Sequence, residues 1–246
     1  MGIKVLTFNI HHGKGLDKKL DLKRISQIIK ASNADIIGLN EVDRFFSKRS
    51  DFMDQAKFLA NELKMEHVYG PAVTFETSEG TPKRQFGNAV LTKWPIIDSR
   101  NHPFDFLPKI IEDRSLLEVK LGVKKHELTV FVTHLSLAPF QHKKQSSFIL
   151  NKLLQTTDPA LVMGDWNMTP ASRTWKIVTQ SLSDVWSEVN PQNQGGYTFP
   201  SKRPFRRLDY IFIKSKLSVE HCEVLNIERE ASDHLPFLAT LDFINE

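Results

Sequence analysis

Several short apolar runs in this chain carry, at one end, a residue that can bind a metal ion or transfer a proton. The runs are rich in β-branched residues, which is typical of buried strands. The polar ends are Asn9, Asn40-Glu41, His134, Asp165-Trp166-Asn167, Asp209 and Ser232-Asp233-His234. A buried strand usually becomes polar where it meets water. The pattern therefore predicts a sheet scaffold whose strand ends gather at one site.

The spacing of apolar residues predicts helices between some of these strands. In chain order they are a helix capped by Asp21 that buries Leu22, Ile25, Ile28 and Ile29, a helix with Phe52, Ala56, Leu59 and Leu63 on one face, and helices over residues 141–154 and 174–180. A hairpin is expected over residues 116–134 and a last strand over residues 237–243. This order favours layered α/β packing, and the spread of polar strand ends favours one domain over residues 1–246.

Composition indicates a globular protein that can bury a substantial core. The chain has 246 residues, of which 40% are hydrophobic. Its apolar runs are strand-sized, far below the roughly 20 residues that span a bilayer, so no transmembrane segment is expected. No basic-then-apolar leader precedes the first strand, which predicts a cytoplasmic location. Cys222 is the only cysteine; this excludes an intrachain disulfide framework and favours a reducing compartment. We expect a monomer.

The net charge is +4, and the basic residues are unevenly distributed along the chain. Local basic clusters occur at Lys83-Arg84 and at Lys202-Arg203-Pro204-Phe205-Arg206-Arg207. A positive surface attracts polyanions such as nucleic acid, anionic lipid headgroups or phosphate esters. A solvated basic face without a partner explains the clusters equally well.

The carboxylates predict a bound cation. Glu41, Asp165, Asp209 and Asp233 would repel one another in a shared cleft unless a positive ion joined them. Carboxylate oxygens together with an amide from Asn9 or Asn167 suit Mg²⁺ or Mn²⁺ better than Zn²⁺.

The histidines add proton transfer and phosphate binding to this set. His134 ends one strand and His234 precedes another. A neutral imidazole accepts a proton, and a protonated one holds a phosphate oxygen. A metal, carboxylates and imidazoles without an activated Ser or Cys favour in-line attack of water on a phosphate ester.

Each residue also has a simpler interpretation. A lone Asn after a strand is usually a turn residue, and the segment Gly164-Asp165-Trp166-Asn167 can be an ordinary turn. We interpret a further polar group as loop or surface residues, namely Asn40, His11, His12, His102 and His142. We interpret Arg114 as a partner in a surface salt bridge. The functional interpretation depends on the joint occurrence of the remaining residues in order.

Taken together, the motifs resemble those of the endonuclease/exonuclease/phosphatase superfamily, which includes DNase I-like nucleases. They are Thr7-Phe8-Asn9-Ile10, Gly38-Leu39-Asn40-Glu41-Val42, Thr133-His134-Leu135, Gly164-Asp165-Trp166-Asn167, Arg207-Leu208-Asp209-Tyr210-Ile211 and Ser232-Asp233-His234. The resemblance implies a four-layer α/β/β/α sandwich, with two mixed sheets face to face and helices outside. It also implies an Mg²⁺-dependent phosphoesterase site at one end.

The resemblance further implies a role for each matching residue. Glu41 would be the main metal ligand, supported by Asn9, and Asp233 would hold metal-bound water. Asp165 would orient or deprotonate the attacking water beside Asn167. In the remaining positions, Asp209 would orient His234, His234 would bind the scissile phosphate or transfer a proton, and His134 would contact phosphate or assist the leaving group.

The leading expectation is an Mg²⁺-dependent (or Mn²⁺-dependent) phosphodiesterase of the nuclease type. Phospholipid headgroups and sugar phosphates remain alternative substrates, as in sphingomyelinases and inositol-polyphosphate phosphatases. A non-catalytic binding module would be expected to have lost a metal-binding or water-activating position. Glu41, Asp165, Asp209 and His234 are all present, which argues against that reading.

Overall fold

The computed structural model describes residues 2–105 and 113–244. Within these ranges the strands are β1 (Ile3–Asn9), β2 (Ile36–Arg44), β3 (Glu66–Phe75), β4 (Arg84–Thr92), β5 (Ile96–Pro103), β6 (Ser115–Val123), β7 (His126–His134), β8 (Ala160–Asp165), β9 (Ser183–Asp184), β10 (Asp209–Ile213), β11 (Leu217–Val224) and β12 (Phe237–Phe243). The α-helices are α1 (Leu22–Ser32), α2 (Gln55–Leu63), α3 (Pro139–Gln155), α4 (Arg173–Val178) and α5 (Val185–Val189). Short 3-10 turns lie at His11–Gly13 and Lys48–Ser50.

The strands form two sheets of six strands each, in the orders β11-β12-β1-β2-β4-β3 and β5-β6-β7-β8-β10-β9. Both sheets are mixed. Each contains one parallel pair near its centre, β1 with β2 and β7 with β8, and antiparallel partners on either side. The chain between the two strands of each parallel pair contains a covering helix, α1 in the first sheet and α3 in the second. A parallel pair requires such a crossover connection.

Alternation along the central strands produces three apolar layers. Val130 and Val132 of β7 belong to the core between the sheets, whereas Phe131 packs on the side of α3. In β1, Val5 faces the core between the sheets and Leu6 packs on the side of α1. Because both sheets are buried on both faces, the central strands are almost continuously apolar. The predicted four-layer α/β/β/α sandwich is thus confirmed.

Most predicted elements form, with shifted ends. The Asp21 side chain caps α1 by accepting a 2.9 Å hydrogen bond from the amide of Arg24. The prediction for the second helix was wrong at Phe52, which precedes α2 and is 55% exposed. Asp54 caps α2 instead, since its carboxylate accepts from the Lys57 amide. That one domain spans residues 1–246 stays a prediction.

No helix within residues 2–105 and 113–244 is both long and apolar enough to cross a membrane.

Candidate active site

The parallel pairs bring polar strand ends side by side. Asn9, the last residue of β1, is in register with Asn40 of β2. In the other sheet His134 ends β7 opposite Asp165, the last residue of β8. Asp209 begins the antiparallel strand β10 and is also in register with Asp165. The carboxyl ends of parallel strands lie at one edge of a sheet, so the topology itself gathers these residues.

Asn9 connects the two sheets at this edge. Its amide nitrogen donates to Glu41 Oε1 and to Asp165 Oδ2, each at 3.1 Å. Asn9 is 1% exposed, and its backbone carbonyl accepts a 2.7 Å hydrogen bond from the Ser232 hydroxyl. Ser232 thereby ties the segment that carries Asp233 and His234 to the end of β1.

Asp165 lies at the centre of the site. Besides Asn9, the Nε2 atoms of His134 and His234 approach its Oδ2, at 3.4 and 3.6 Å. The other carboxylate oxygen accepts a 3.0 Å hydrogen bond from the amide of Asn167. Burial raises the pKa of Asp165 to about 7, against the lowering effect of the nearby His234. The carboxyl group is therefore poised to accept or release a proton near neutral pH.

His234 is held as a cation by the carboxylates around it. Its Nδ1 donates to Asp209 Oδ2 at 2.8 Å, which leaves Nε2 directed toward Asp165. Burial alone would lower the pKa of His234, but Asp209 and Asp165 outweigh burial and raise it to about 10. A cationic Nε2–H group beside Asp165 can hold a phosphate oxygen or supply a proton.

His134 is neutral and has a defined tautomer. Arg114 is buried, and its Nη1 lies 3.0 Å from His134 Nδ1. A guanidinium only donates hydrogen bonds, so Nδ1 is the acceptor and the proton of the ring is on Nε2. Burial, and then Arg114, holds the pKa of His134 well below its usual value. His134 therefore presents a neutral N–H donor to the site.

Glu41 lies in a β-bulge of β2 and has a φ of 58°. A residue other than glycine rarely adopts this left-handed backbone, and such strain is concentrated at functional sites. Burial is the main cause of the raised pKa of Glu41, and the charge of Asp233 adds to it, whereas the hydrogen bond from Asn9 opposes it. Glu41 thus carries a destabilised negative charge that a cation would relieve.

Sequence reasoning misjudged several residues at this edge. Asn40, interpreted as a loop or surface residue, is fully buried; its oxygen accepts from the Asp165 amide and its nitrogen donates to Asn88 and to the Thr133 carbonyl. Arg114, interpreted as a surface residue, contacts His134 in the buried site instead. In the sequence only their positions could have indicated a role: Asn40 directly precedes Glu41, and Arg114 directly precedes β6.

Three further histidines and an arginine also differ from expectation. His142 is buried and its Nε2 bonds the Trp166 carbonyl at 2.7 Å, so it braces the segment after Asp165. His11 and His12 are half-buried beside Glu41. Burial, followed by the charge of Arg49, lowers the pKa of His12 to about 3. Arg207 is 1% exposed and does not belong to the basic surface cluster.

The sequence matches the family model described as the endonuclease/exonuclease/phosphatase family over residues 6–234. The chain belongs to this family. The matched span begins in β1 and ends at His234, so it includes every strand end described above. No curated protein matches the sequence.

Solved structures of the endonuclease/exonuclease/phosphatase family share the fold. A family protein from Beutenbergia cavernae has 26% identity and a TM-score of 0.84, covering 98% of this chain and 71% of its own. The mannosyl-6-phosphatase Bt3783 of Bacteroides thetaiotaomicron has 16% identity and a TM-score of 0.77, covering 98% of this chain and 100% of its own. The human Nocturnin catalytic domain, solved with a sulfate anion, has 20% identity and a TM-score of 0.73, covering 99% and 95%.

Members of this family are phosphoesterases that typically use a divalent metal, and the donor set here fits such an ion. The buried group of Asp165, Asp209 and His234 places two carboxylates within 4.8 Å of each other, whereas the protonated His234 ring donates hydrogen bonds and has no lone pair for a metal. Asp209 Oδ1 is buried and has no hydrogen-bond partner among the described residues. A buried carboxylate oxygen without a donor is a group that a cation would satisfy.

Proposed function

We propose that the protein hydrolyses phosphodiesters, with nuclease-type substrates as the leading class, by in-line attack of water assisted by Mg²⁺ or Mn²⁺. The observation that carries this proposal is the convergence on Asp165 Oδ2 of one amide and two imidazoles, with Glu41 joined through Asn9. These groups combine a base with N–H donors for phosphate oxygens. No side chain in the set is a serine or cysteine nucleophile.

In this proposal Glu41 is the main metal ligand, and Asn9 and Asp233 support it. Oxygen donors of this kind suit Mg²⁺ or Mn²⁺, and the raised pKa of Glu41 favours a cation beside it. When bound, the ion would stabilise negative charge on the phosphoryl oxygens. The two hydrogen bonds of the Asn9 amide fix the positions of Glu41 and Asp165 relative to each other.

The remaining roles follow from the protonation states of Asp165, His234 and His134. Asp165 orients the attacking water and takes its proton, since Asn167 and Asn9 fix its two oxygens. His234, a cation oriented by Asp209, binds the scissile phosphate through Nε2. His134 donates from its neutral Nε2–H to a phosphate or leaving-group oxygen. Burial of these side chains keeps bulk water away and strengthens each charge interaction.

A basic loop over residues 199–206 lies next to this site. Its base is fixed by paired backbone hydrogen bonds between Phe199 and Arg206, and the Ser201 amide donates to the Asp233 carbonyl. The Phe199 ring lies 4.9 Å from the His234 ring. Lys202, Arg203 and Arg206 are exposed on this loop. Their positive charges support the proposal of a nucleic-acid substrate, because they would attract its phosphates.

The direct test is a panel of phosphoesters, comprising plasmid DNA, RNA, nucleotides, sphingomyelin vesicles, phosphoinositides and mannose phosphate. We expect phosphodiester hydrolysis with added Mg²⁺ or Mn²⁺ and its loss in EDTA, followed by recovery when the metal is restored. Release of product is measured by phosphate assay and gel electrophoresis. Turnover that persists in EDTA would contradict a metal-dependent reaction.

Charge reversal in the basic loop tests the nucleic-acid assignment. We expect the variant carrying Lys202→Glu, Arg203→Glu and Arg206→Glu to bind DNA more weakly at low salt. Each lost phosphate contact should reduce the slope of log affinity against log salt by about 0.7–0.9. Fluorescence anisotropy across a salt series measures both quantities.

The matched control reverses three exposed lysines on α1 and α2, namely Lys23→Glu, Lys30→Glu and Lys57→Glu. It changes the net charge equally but is expected to keep most of the affinity. If both triple variants bind alike, the loop does not contact nucleic acid, and a small ester becomes the better substrate.

One observation favours a phospholipid headgroup as a second candidate substrate. A cavity of about 630 Å³ adjoins Asn167, and both cationic and apolar side chains line it, including Phe140, Lys143, Arg173 and Arg206. At its rim Leu137 and Phe140 are 77% and 64% exposed. Apolar side chains beside cations suit an anionic lipid surface. Hydrolysis of vesicle lipids but not DNA in the panel would select this candidate.

A further inference from the structure

Two imidazoles and a carboxylate form a second cluster of ligand atoms beside Asn9. His11, His12 and Glu41 each offer one such atom, and these atoms lie within 4.8 Å of one another. The cluster is distinct from the group of Asp165, Asp209 and His234. Glu41 has a role in the proposed hydrolysis, whereas His11 and His12 have none so far.

The tautomer of His11 leaves a nitrogen lone pair for a metal. His11 Nδ1 lies 3.0 Å from the backbone carbonyl of Lys14. A carbonyl oxygen only accepts, so Nδ1 carries a proton, and the neutral form of the ring has its lone pair on Nε2. Histidines that bind metals usually donate their other ring N–H to a carbonyl or carboxylate in this way.

The backbone of the turn is held in a conformation that brings the two rings together. His11, His12 and Gly13 have φ values of 45°, 44° and 75°. Consecutive left-handed histidines are unfavourable and persist only where their surroundings fix them. Here the His11 amide donates to Asn9 Oδ1, and Gln55 Nε2 donates to the His12 carbonyl at 2.7 Å.

Gln55 links this turn to the strand that carries Glu41. The side chain is fully buried, and its oxygen accepts a 2.9 Å hydrogen bond from the Asp43 amide, two residues after Glu41. The turn and the bulge of β2 are thus braced by one side chain. The two ring centroids lie 4.5 Å apart in an edge-to-face arrangement.

The charges around the cluster are compatible with a cation. Arg49 and Lys14 are nearby positive groups. Arg49 makes two hydrogen bonds of 2.8 and 2.7 Å to the buried carboxylate of Asp43, which balances its charge. Asp233 and Glu41 supply negative charge on the other side.

We infer that His11, His12 and Glu41 form a site for a first-row transition-metal dication, such as Mn²⁺ or Co²⁺, in preference to Mg²⁺. The inference rests on the proposed function in one respect, since Glu41 is the ligand that both share. Imidazole nitrogen is a good ligand for first-row transition metals, whereas Mg²⁺ prefers oxygen donors and keeps its waters. The two histidines therefore determine which ion binds at Glu41.

The test measures ion binding to the metal-free protein without any substrate. Wild type and the double variant His11→Asn, His12→Asn are titrated with Co²⁺, Mn²⁺ and Mg²⁺ by isothermal titration calorimetry. Asparagine tolerates the left-handed backbone and removes the imidazole. We expect Co²⁺ and Mn²⁺ affinities to fall at least ~10-fold in the double variant and Mg²⁺ affinity to change by less than ~3-fold.

A control variant, His221→Asn, removes an exposed histidine from strand β11 and should bind all three ions like wild type. If the double variant does not fold, as judged by circular dichroism, each single substitution is titrated instead. Nitrogen couplings in the pulsed electron paramagnetic resonance spectrum of the Mn²⁺-loaded wild type, reduced in His11→Asn and lost in the double variant, give an independent signature.

Equal Co²⁺ affinity in wild type and the double variant would overturn the inference, as would a wild type that binds Co²⁺ no more tightly than Mg²⁺. Either result can occur while the wild type still hydrolyses phosphodiesters with Mg²⁺, in which case the proposed function stands. Conversely, histidine-dependent Co²⁺ binding without any phosphoester turnover would support this site and contradict the proposed function.

Discussion

Replacing Asp165 with Asn is expected to reduce kcat by at least ~10²-fold, because a positioned general base contributes about 10²–10⁴-fold. The amide has the shape of the carboxyl group, so the hydrogen bond from the Asn167 amide can persist. An amide cannot take a proton from the attacking water. It also removes the negative charge that Asp165 presents to the Nε2 atoms of His134 and His234.

The measurement is kcat and KM for Asp165→Asn with the best phosphodiester of the panel at saturating metal. A base that acts in the chemical step should lower kcat with little effect on KM. His234→Asn should also slow turnover but weaken substrate binding, since its cationic ring is proposed to hold the phosphate. These two patterns separate the roles that the geometry suggests for the two side chains.

The matched control is Asp98→Asn, which neutralises an exposed carboxylate on β5 and should keep wild-type kinetics. Near-UV circular dichroism establishes that each variant keeps its packing. Wild-type turnover in a folded Asp165→Asn protein would remove Asp165 from the reaction and leave the water-activating group unassigned.

The positions of the strand ends were predictable because parallel pairing fixes them. An apolar run ending in Asn9 and another ending in Asn40-Glu41 must meet at one edge once the two strands pair in parallel. The same holds for His134 and Asp165. Their apolar, β-branched composition identified these runs without knowledge of their partners.

The supporting residues were not predictable, because a polar residue in a sequence carries no mark of its burial. Asn40 is satisfied by Asn88 and by the Thr133 carbonyl, which lie 48 and 93 positions away. Arg114 depends on His134, 20 positions away. Only the folded arrangement reveals that these donors and acceptors match, so the default assignment to the surface was wrong for both.

Arg207 is a third residue that was wrongly expected on the surface, and its burial has a larger effect on stability. As one cation in a run of basic residues it was expected on the surface. Its Nη2 instead lies 3.0 Å from Asp184 Oδ2, and both side chains are 1% exposed. Asp184 also accepts from the Trp175 ring nitrogen and the Ser187 hydroxyl. Leaving this buried carboxylate without its positive partner is energetically costly.

We therefore expect Arg207→Met to lower the free energy of unfolding by about 3–5 kcal/mol, the usual cost of breaking a buried ion pair by removing one partner. The neighbouring substitution Arg206→Met removes an equivalent charge from an exposed position. It should change stability by no more than about 0.5 kcal/mol. Urea unfolding followed by circular dichroism and tryptophan fluorescence measures both values.

A second substitution separates the effect of the unpaired Asp184 charge from the effect of the lost Arg207 packing. Asp184→Asn keeps an oxygen that can accept from the Trp186 amide at the start of α5 but removes the negative charge. Added to Arg207→Met, it should recover about 0.5–3 kcal/mol relative to the sum of the single effects. Strict additivity would mean that the ion pair contributes nothing beyond packing. Equal losses in Arg206→Met and Arg207→Met would contradict the burial of Arg207 altogether.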